Sequence, residues 1–210
     1  KLGVNSIWIV IVISLFIGAV MVMQIALNVD SPLLPRFTVG AVSREIILLE
    51  FSSTIMCLIL AGKVGSNIAS EIGAMRITEQ IDALEIMGVN SANYLILPKI
   101  LAFITIIPIL VIFSMFFGIL GGYSVAYFTD VISVQDYEYG IQYAFIPFYI
   151  TYSVIKSIVF AFLISSISSF YGYYAYGGAL EVGKASTDAV VKSSVMILLF
   201  NLILTKLLLS

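Results

Sequence analysis

The chain has 210 residues and a formal net charge of −2; 61% of its residues are hydrophobic and only 10% are charged. A soluble domain carries roughly 25% charged residues, and a domain of this size cannot hide so much apolar surface from water. Lipid must therefore be the solvent for most of the chain, which excludes a soluble enzyme and a disordered protein. The lack of histidine and the single cysteine, Cys57, exclude histidine-dependent catalysis, an intrachain disulfide and multi-cysteine metal sites. The net charge gives no electrostatic basis for nucleic-acid binding.

Five apolar runs are long enough to cross a bilayer, whose core of about 30 Å needs about 20 helical residues. In chain order they are 7–29, 46–62, 94–128, 147–171 and 189–209. The third run is too long for one simple crossing, so Pro98 and Pro108 predict a kink or an interfacial elbow within it. Residues 181–188 are interpreted as a second elbow, before the fifth span. The sequence therefore predicts an all-α integral membrane protein with a single membrane domain over residues 1–210.

Positively charged residues favour the cytoplasmic side of a membrane, and they are distributed unequally between the two sides of the predicted spans. One side carries Lys1, Lys63, Arg76, Lys99, Lys184 and Lys192, and the other carries Arg36, Arg44 and Lys206. This distribution predicts a cytoplasmic N-terminus, cytoplasmic segments at 63–93 and 172–188, and outer loops at 30–43 and 129–146. Because the chain starts without methionine almost directly in a span, we expect a further N-terminal segment in the natural protein.

Residues 62–88 are the most charged stretch and do not belong in lipid. Their charged residues are Lys63, Glu71, Arg76, Glu79, Asp82 and Glu85. Small residues recur every four positions from Gly62 to Ala74, with a second such row from Gly65 to Gly73, and such rows allow helices to approach closely. From Arg76 onward the pattern is amphipathic, with Ile77, Ile81 and Leu84 on one face. Two interpretations remain open: a solvated loop helix, or a docking helix whose acidic groups meet a basic groove on a cytoplasmic partner.

Several polar groups lie within or beside the spans, where their cost marks them as functional candidates. These are Gln24, the Arg44–Glu45 pair, Glu50 and Lys156. One interpretation makes them interfacial anchors and interhelical hydrogen-bonding groups. The other places a lipid cavity between two protomers, where Arg44 or Lys156 contacts a phosphate. In the third span, the Gly118-x-x-x-Gly122 pattern predicts close helix packing within one protomer rather than between two.

The stretch AGKVGSNIASEIGAMRITEQIDALEIMG at 61–88 resembles the signature of the MlaE-type permeases, the membrane subunits of MCE-associated ABC lipid transporters. The similarity continues through FIGAVMVMQ at 16–24, REI at 44–46, YLILPKILA at 94–102, IKSIVFAFLI at 155–164 and GGALEVGKASTDAVVKSSV at 177–195. It therefore covers nearly the whole chain in order. The chain departs from the family pattern after the Arg44–Glu45 pair, where it lacks the usual proline.

This resemblance implies an ABC-exporter-like permease that forms a homodimer and moves phospholipid between the inner and outer membranes. ATPase subunits would dock on a cytoplasmic coupling helix at 66–88, with Glu71, Arg76, Glu79, Asp82 and Glu85 as candidate contacts. An MCE-domain protein would lie on the outer side, and some systems add a STAS-domain protein.

The resemblance also bears on the site and on the location of the protein. It maps lipid-pocket residues onto Arg44, Glu45 and Lys156, beside which Gln24 is a further polar candidate. A bacterial, Gram-negative inner membrane is the expected location, although chloroplast envelope relatives carry a similar signature. The resemblance also implies an N-terminal interfacial helix, which this sequence does not contain.

No G-x-x-x-x-G-K-[ST] nucleotide-binding loop is present in the sequence. ATP hydrolysis is therefore expected on a partner chain, and neither a catalytic residue, a cofactor nor a metal is predicted on this one. An ion-coupled secondary carrier is an alternative, but it needs buried acids and usually internal repeats, and Glu50 is the only plausible acid. A non-transporting scaffold that anchors the ATPase and the outer protein is the other alternative.

Overall fold

The computed structural model describes residues 6–29 and 35–209, so the predicted cytoplasmic position of Lys1 and part of the predicted outer loop 30–43 lie outside the described residues. Within these ranges the chain is almost entirely helical. Its helices are α1 Ile7–Asn28, α2 Thr38–Ile77, α3 Gln80–Ile86, α4 Ser91–Phe128, α5 Val134–Gln142, α6 Phe148–Tyr173 and α7 Ala179–Leu209. By length and composition α1, α2, α4, α6 and α7 can each cross a membrane, which confirms the all-α membrane fold with five predicted spans.

Helix α2 differs most from its predicted span. It is continuous over 40 residues, or about 60 Å, so the predicted coupling segment begins as the direct extension of a span. Two stretches of α2, Ile47–Ile55 and Ala61–Gly65, are π-helical, a rare geometry that often occurs at functional sites. The predicted coupling helix 66–88 is not one helix, because α2 ends at Ile77 and α3 begins at Gln80.

Neither α4 nor the start of α7 is divided into two helices. Helix α4 runs through both Pro98 and Pro108 without ending at either. A proline removes one backbone donor, and membrane helices tolerate that loss. Helix α7 begins at Ala179, so the predicted elbow at 181–188 is the first part of the helix. An ion pair of 2.8 Å between Lys184 and Glu181 lies on this first part.

The described chain divides into two compact units. Unit 1 contains the described residues of Cys57–Pro108 and Lys156–Ser210. Unit 2 contains those of Val4–Met56 and Ile109–Ile155. Helices α2, α4 and α6 each contribute to both units. The two segments predicted to be cytoplasmic, 63–93 and 172–188, therefore belong to unit 1.

Glycines set the packing of unit 2. A side chain on Gly18 would collide with the backbone of Gly118, and one on Gly121 would collide with the backbone of Leu15. Helices α1 and α4 therefore approach each other at backbone distance. Next to Gly121 in α4, Gly122 makes room for the hydroxyl of Tyr137 and for Val22 of α1. The prediction of close packing within one protomer at the glycines of α4 is confirmed.

A small-residue row also sets the packing of unit 1. Gly65 faces Ser168 of α6, Ala69 approaches Gly172, and Gly73 faces Val182 of α7. The other predicted row, which starts at Gly62, has open space at that glycine. The row from Gly65 to Gly73 is therefore the one that brings α2 against α6 and α7.

Candidate functional site

Unit 2 contains a cavity of about 520 Å³, within the range of small-molecule sites. Its apolar lining comes from α2, α4, α5, the loop after α5 and α6: Leu48, Ile112, Met115, Phe116, Ile119, Ile141, Phe145 and Ile150. Arg44 and Gln142 are the polar side chains that line it. An apolar chamber with very few polar groups suits the hydrocarbon of an amphiphile better than a fully polar solute.

Arg44 is held by the end of a neighbouring helix. Its Nη1 donates hydrogen bonds of 2.8 Å to the carbonyl oxygens of both Ile141 and Tyr143, which lie at the C-terminal end of α5. The last carbonyls of a helix lack intrahelical donors and carry a partial negative charge. The guanidinium therefore caps α5, and its Nη2 also lies 3.3 Å from Oε1 of Glu45.

One donor of Arg44 remains unused. The side chain is only 1% exposed, and its Nε has no hydrogen-bond partner among the described residues. A buried, unpaired donor costs free energy, so this atom favours an incoming acceptor. The guanidinium also lies over the ring of Phe145, 5.6 Å from its centre. The arrangement can bind the anionic group of a molecule whose apolar part fills the cavity.

The other predicted lipid-binding residues do not line this cavity. Glu45 is half-exposed and pairs with Arg44, whereas Gln24 lies on an exposed face of α1. Lys156 belongs to unit 1, where it is fully buried and its Nζ lies 3.5 Å from the hydroxyl of Thr205 in α7. Of the four predicted lipid-binding residues, only Arg44 lines the cavity of unit 2, and Glu45 lies next to it as its ion-pair partner.

The predicted coupling residues lie at and around a sharp break between α2 and α3. Glu79 sits at this break with φ of 59°, a left-handed conformation that residues other than glycine rarely adopt. Arg76 pairs with Asp82 across the break at 2.6 Å. Glu71 pairs with Lys99 of α4, also at 2.6 Å. Two of the predicted acidic residues, Glu71 and Asp82, are therefore in ion pairs, and Glu71, Glu79 and Glu85 are all exposed.

Glu85 is joined to two further residues that the sequence did not single out. Its Oε1 accepts hydrogen bonds of 2.9 Å from Ser91 and from Tyr173, and the Ser91 and Tyr173 hydroxyls are 2.8 Å apart. The hydrogen bonds from Ser91 and Tyr173 hold the pKa of the Glu85 carboxyl below its usual value. No periodic pattern connects residues 85, 91 and 173, which explains why sequence reasoning missed the cluster.

A chain of buried hydroxyls was likewise missed. Ser14 donates to Ser114 at 2.9 Å, and Ser114 donates to Ser52 at 3.3 Å. These bonds tie α1 and α4 to the π-helical part of α2. In the sequence, a single serine within an apolar run is indistinguishable from any other small residue. That these three serines form hydrogen bonds with one another is visible only in the structure.

Taken together, the five candidate spans and the apolar cavity are typical of an integral membrane protein. The sequence profile of the family described as Permease MlaE matches residues 1–207. The chain belongs to the MlaE permease family, as its 61–88 signature indicated.

Individual relatives agree with this assignment. A protein of Rickettsia bellii named "Probable ABC transporter permease protein" is 35% identical over 98% of this chain and 79% of its own length. A protein of the same description from Synechocystis is 31% identical over 97% of this chain and 77% of its own length. The Arabidopsis thaliana chloroplast protein named trigalactosyldiacylglycerol 1 is 30% identical over 98% of this chain and 58% of its own length. The chain is therefore similar to transport permease subunits in bacteria.

Proposed function

We propose that this chain is the phospholipid-moving permease subunit of an ABC transporter. A homodimer of the chain would be driven by a separate ATPase and would exchange lipid with an MCE-domain protein on the outer side, with a STAS-domain protein as a possible further subunit. The membrane would be a Gram-negative inner membrane, with the N-terminus cytoplasmic. Membership of a permease family supports the transport role, and the MlaE resemblance supports the lipid, the partners and the location.

The observation that carries the proposal is the cavity with Arg44 at its lining. A phospholipid combines acyl chains with an anionic phosphate. The cavity combines apolar walls with a buried guanidinium whose Nε has no hydrogen-bond partner in the described part of the chain. A charge-assisted hydrogen bond to this guanidinium is stronger than one between neutral groups. The name of the Arabidopsis relative contains a glycerolipid, which agrees with a lipid substrate.

The proposed site residues differ in their support. Arg44 has the geometric support just described, and Glu45 contributes through its ion pair with Arg44. Lys156 and Gln24 keep only the support of the sequence. On the cytoplasmic side, Glu79 is an exposed acid at the break between α2 and α3, where a basic ATPase groove would contact it. The other candidates, Glu71, Arg76, Asp82 and Glu85, would shape the surface around it.

The proposal is tested by purifying the full chain with its associated subunits and measuring bound phospholipid per protomer by mass spectrometry. Arg44→Ala should reduce bound phospholipid severalfold, because it removes the buried donor. This change also removes the cap of α5, so a second variant is needed. Ile112→Trp places a large ring at the cavity wall without touching Arg44 and should reduce bound lipid as well.

The matched control is Ile109→Trp, which adds the same ring one turn earlier in α4, at an exposed position outside the cavity lining. It should leave bound phospholipid unchanged. If Ile112→Trp and Arg44→Ala both retain the lipid of the natural chain, the cavity is not the lipid site. If the complex hydrolyses ATP in liposomes but moves no labelled phospholipid, the scaffold alternative replaces the permease. Transport by the chain alone along an ion gradient would instead favour the carrier.

A further inference from the structure

The Glu85–Ser91–Tyr173 cluster, called the hydroxyl–carboxylate ring below, joins three separate helices. Glu85 lies in the last turn of α3, Ser91 is the first residue of α4, and Tyr173 is the last residue of α6. All three side-chain distances are between 2.8 and 2.9 Å. We propose that this ring is the link through which movement of α3 reaches α4 and α6, with Tyr173 as its positioning residue. The inference rests on the proposed function, in which α3 meets the ATPase.

The backbone alone connects α3 to α4 poorly. The connection passes through Gly88, whose φ is +76° and which has no atom near the position of a side chain. At the other end of α3, Glu79 occupies the left-handed region with φ of 59°. A short helix between two such breaks can turn as a unit while its flanking chain absorbs the motion. A side-chain link that bypasses Gly88 is therefore needed if α4 is to follow α3.

The ring can supply this bypass because the Ser91 hydroxyl is not used to cap α4. The N-terminus of α4 is capped by Asn90, whose Oδ1 accepts a 3.1 Å hydrogen bond from the backbone of Asn93. The Ser91 hydroxyl, in a residue that is only 3% exposed, is thus available to Glu85 and Tyr173. An ionised carboxylate that accepts two hydroxyl donors forms stronger bonds than a neutral acceptor would.

Tyr173 contacts α2 as well as α3. Its ring lies 5.7 Å from the guanidinium carbon of Arg76, and Arg76 pairs with Asp82 of α3. Both ends of α3 are therefore connected to the last residue of α6, through Asp82 and Arg76 at one end and through Glu85 at the other. Displacement of α3 must displace Tyr173 or break these contacts.

The test uses the complete complex of the chain with its ATPase in lipid nanodiscs. Hydrogen exchange of α6 is compared between the nucleotide-free and the vanadate-trapped states, for the natural chain and for Tyr173→Phe. The variant keeps the aromatic ring and loses only the hydroxyl. In the natural chain, trapping should change exchange in both α3 and α6; in Tyr173→Phe the change should persist in α3 and be lost in α6. Lipid moved per ATP hydrolysed should fall by about threefold or more, while ATP hydrolysis continues.

Tyr174→Phe is the matched control, because Tyr174 is the next residue, is exposed and lies outside the ring of hydrogen bonds; it should behave as the natural chain. Glu85→Gln retains an acceptor oxygen and should restore part of the coupling that Glu85→Ala loses. The inference is overturned if Tyr173→Phe keeps the full response of α6, or if α6 of the natural chain does not respond to nucleotide. If α6 responds and the natural complex still moves no lipid, the ring stands and the proposed function fails. If no ATPase associates with the chain, both fail.

Discussion

Arg44 in unit 2 and the charged residues between α2 and α4 in unit 1 lie in opposite environments. In unit 2, Arg44 is buried against an apolar cavity and is satisfied mainly by backbone carbonyls of α5. In unit 1, the charges between α2 and α4 lie at or near the surface and pair with one another, as Arg76 does with Asp82. A buried cation depends on a fixed surrounding structure, whereas exposed pairs exchange readily with water and with a partner. Changes within unit 2 should therefore affect folding, and changes to the exposed pairs should affect coupling far more than folding.

The largest effect is expected where helices of unit 2 touch at their backbones. Gly121→Leu places a side chain against the backbone of Leu15, which cannot move without separating α1 from α4. We expect a loss of about 3 kcal/mol or more, seen as little folded protein on size exclusion and an early loss of helical circular dichroism on heating.

The control for this prediction is Gly62→Ala in unit 1, where the added methyl group meets open space. Within a helix this change should stabilise the protein by about 0.5–1 kcal/mol, since alanine loses less backbone entropy than glycine. A normal yield and melting temperature for Gly121→Leu would show that α1 and α4 do not pack as described.

These glycines also show how much of the fold the sequence predicts. Apolar run length predicts the five spans, because the bilayer imposes a fixed length on each. The small-residue rows at 65–73 and 118–122 predict close packing, since few other patterns produce it. The π-helical stretches and the full length of α2 were not predictable, because they leave no periodic signal and depend on packing with other helices.

The candidate site was predictable only in part. Arg44 stands out as a charge at the start of a span, which is a cost that sequence reasoning detects. Its partners, the carbonyls of Ile141 and Tyr143, lie nearly a hundred residues away, and backbone groups carry no residue-specific signature. For the same reason nothing in the sequence indicated that Lys156 would be buried near Thr205, in the unit that does not contain Arg44.

An intermediate effect is expected from the buried hydroxyl of Tyr137 in α5. It donates to the carbonyl oxygen of Ile119 at 3.1 Å, and burial raises the pKa of Tyr137 from 10.0 to about 12. The folded protein thus holds this proton more tightly than the unfolded chain does. The resulting stability is complete below pH 10 and is lost as the pH rises from 10 towards 12, by at most about 2.7 kcal/mol in all.

This dependence is measured by denaturant titration of helical circular dichroism between pH 8 and pH 12. Tyr137→Phe removes the titrating group, so its stability should fall less steeply above pH 10 than that of the natural chain. Tyr139→Phe, at an exposed position in the same helix, should keep the natural slope. Equal slopes for all three chains would place the Tyr137 hydroxyl in contact with water.

The smallest effect on folding is expected from the charged surface of unit 1, where Asp82→Asn breaks the 2.6 Å pair with Arg76. About a third of the Arg76 side chain and half of that of Asp82 are exposed, so the pair should contribute less than about 1 kcal/mol. High salt should remove the difference in free energy of unfolding between the variant and the natural chain, because exposed charges are screened.

The same denaturant titration at 0.1 M and 1 M NaCl measures this difference. The matched control is Glu181→Gln, which breaks the exposed pair with Lys184 in α7. A loss of several kcal/mol that persists in 1 M salt would mean that the break between α2 and α3 is part of the folded core. Helix α3 would then be held too firmly to act as a movable element, and these ion pairs would no longer differ from buried Arg44 in their effect on folding.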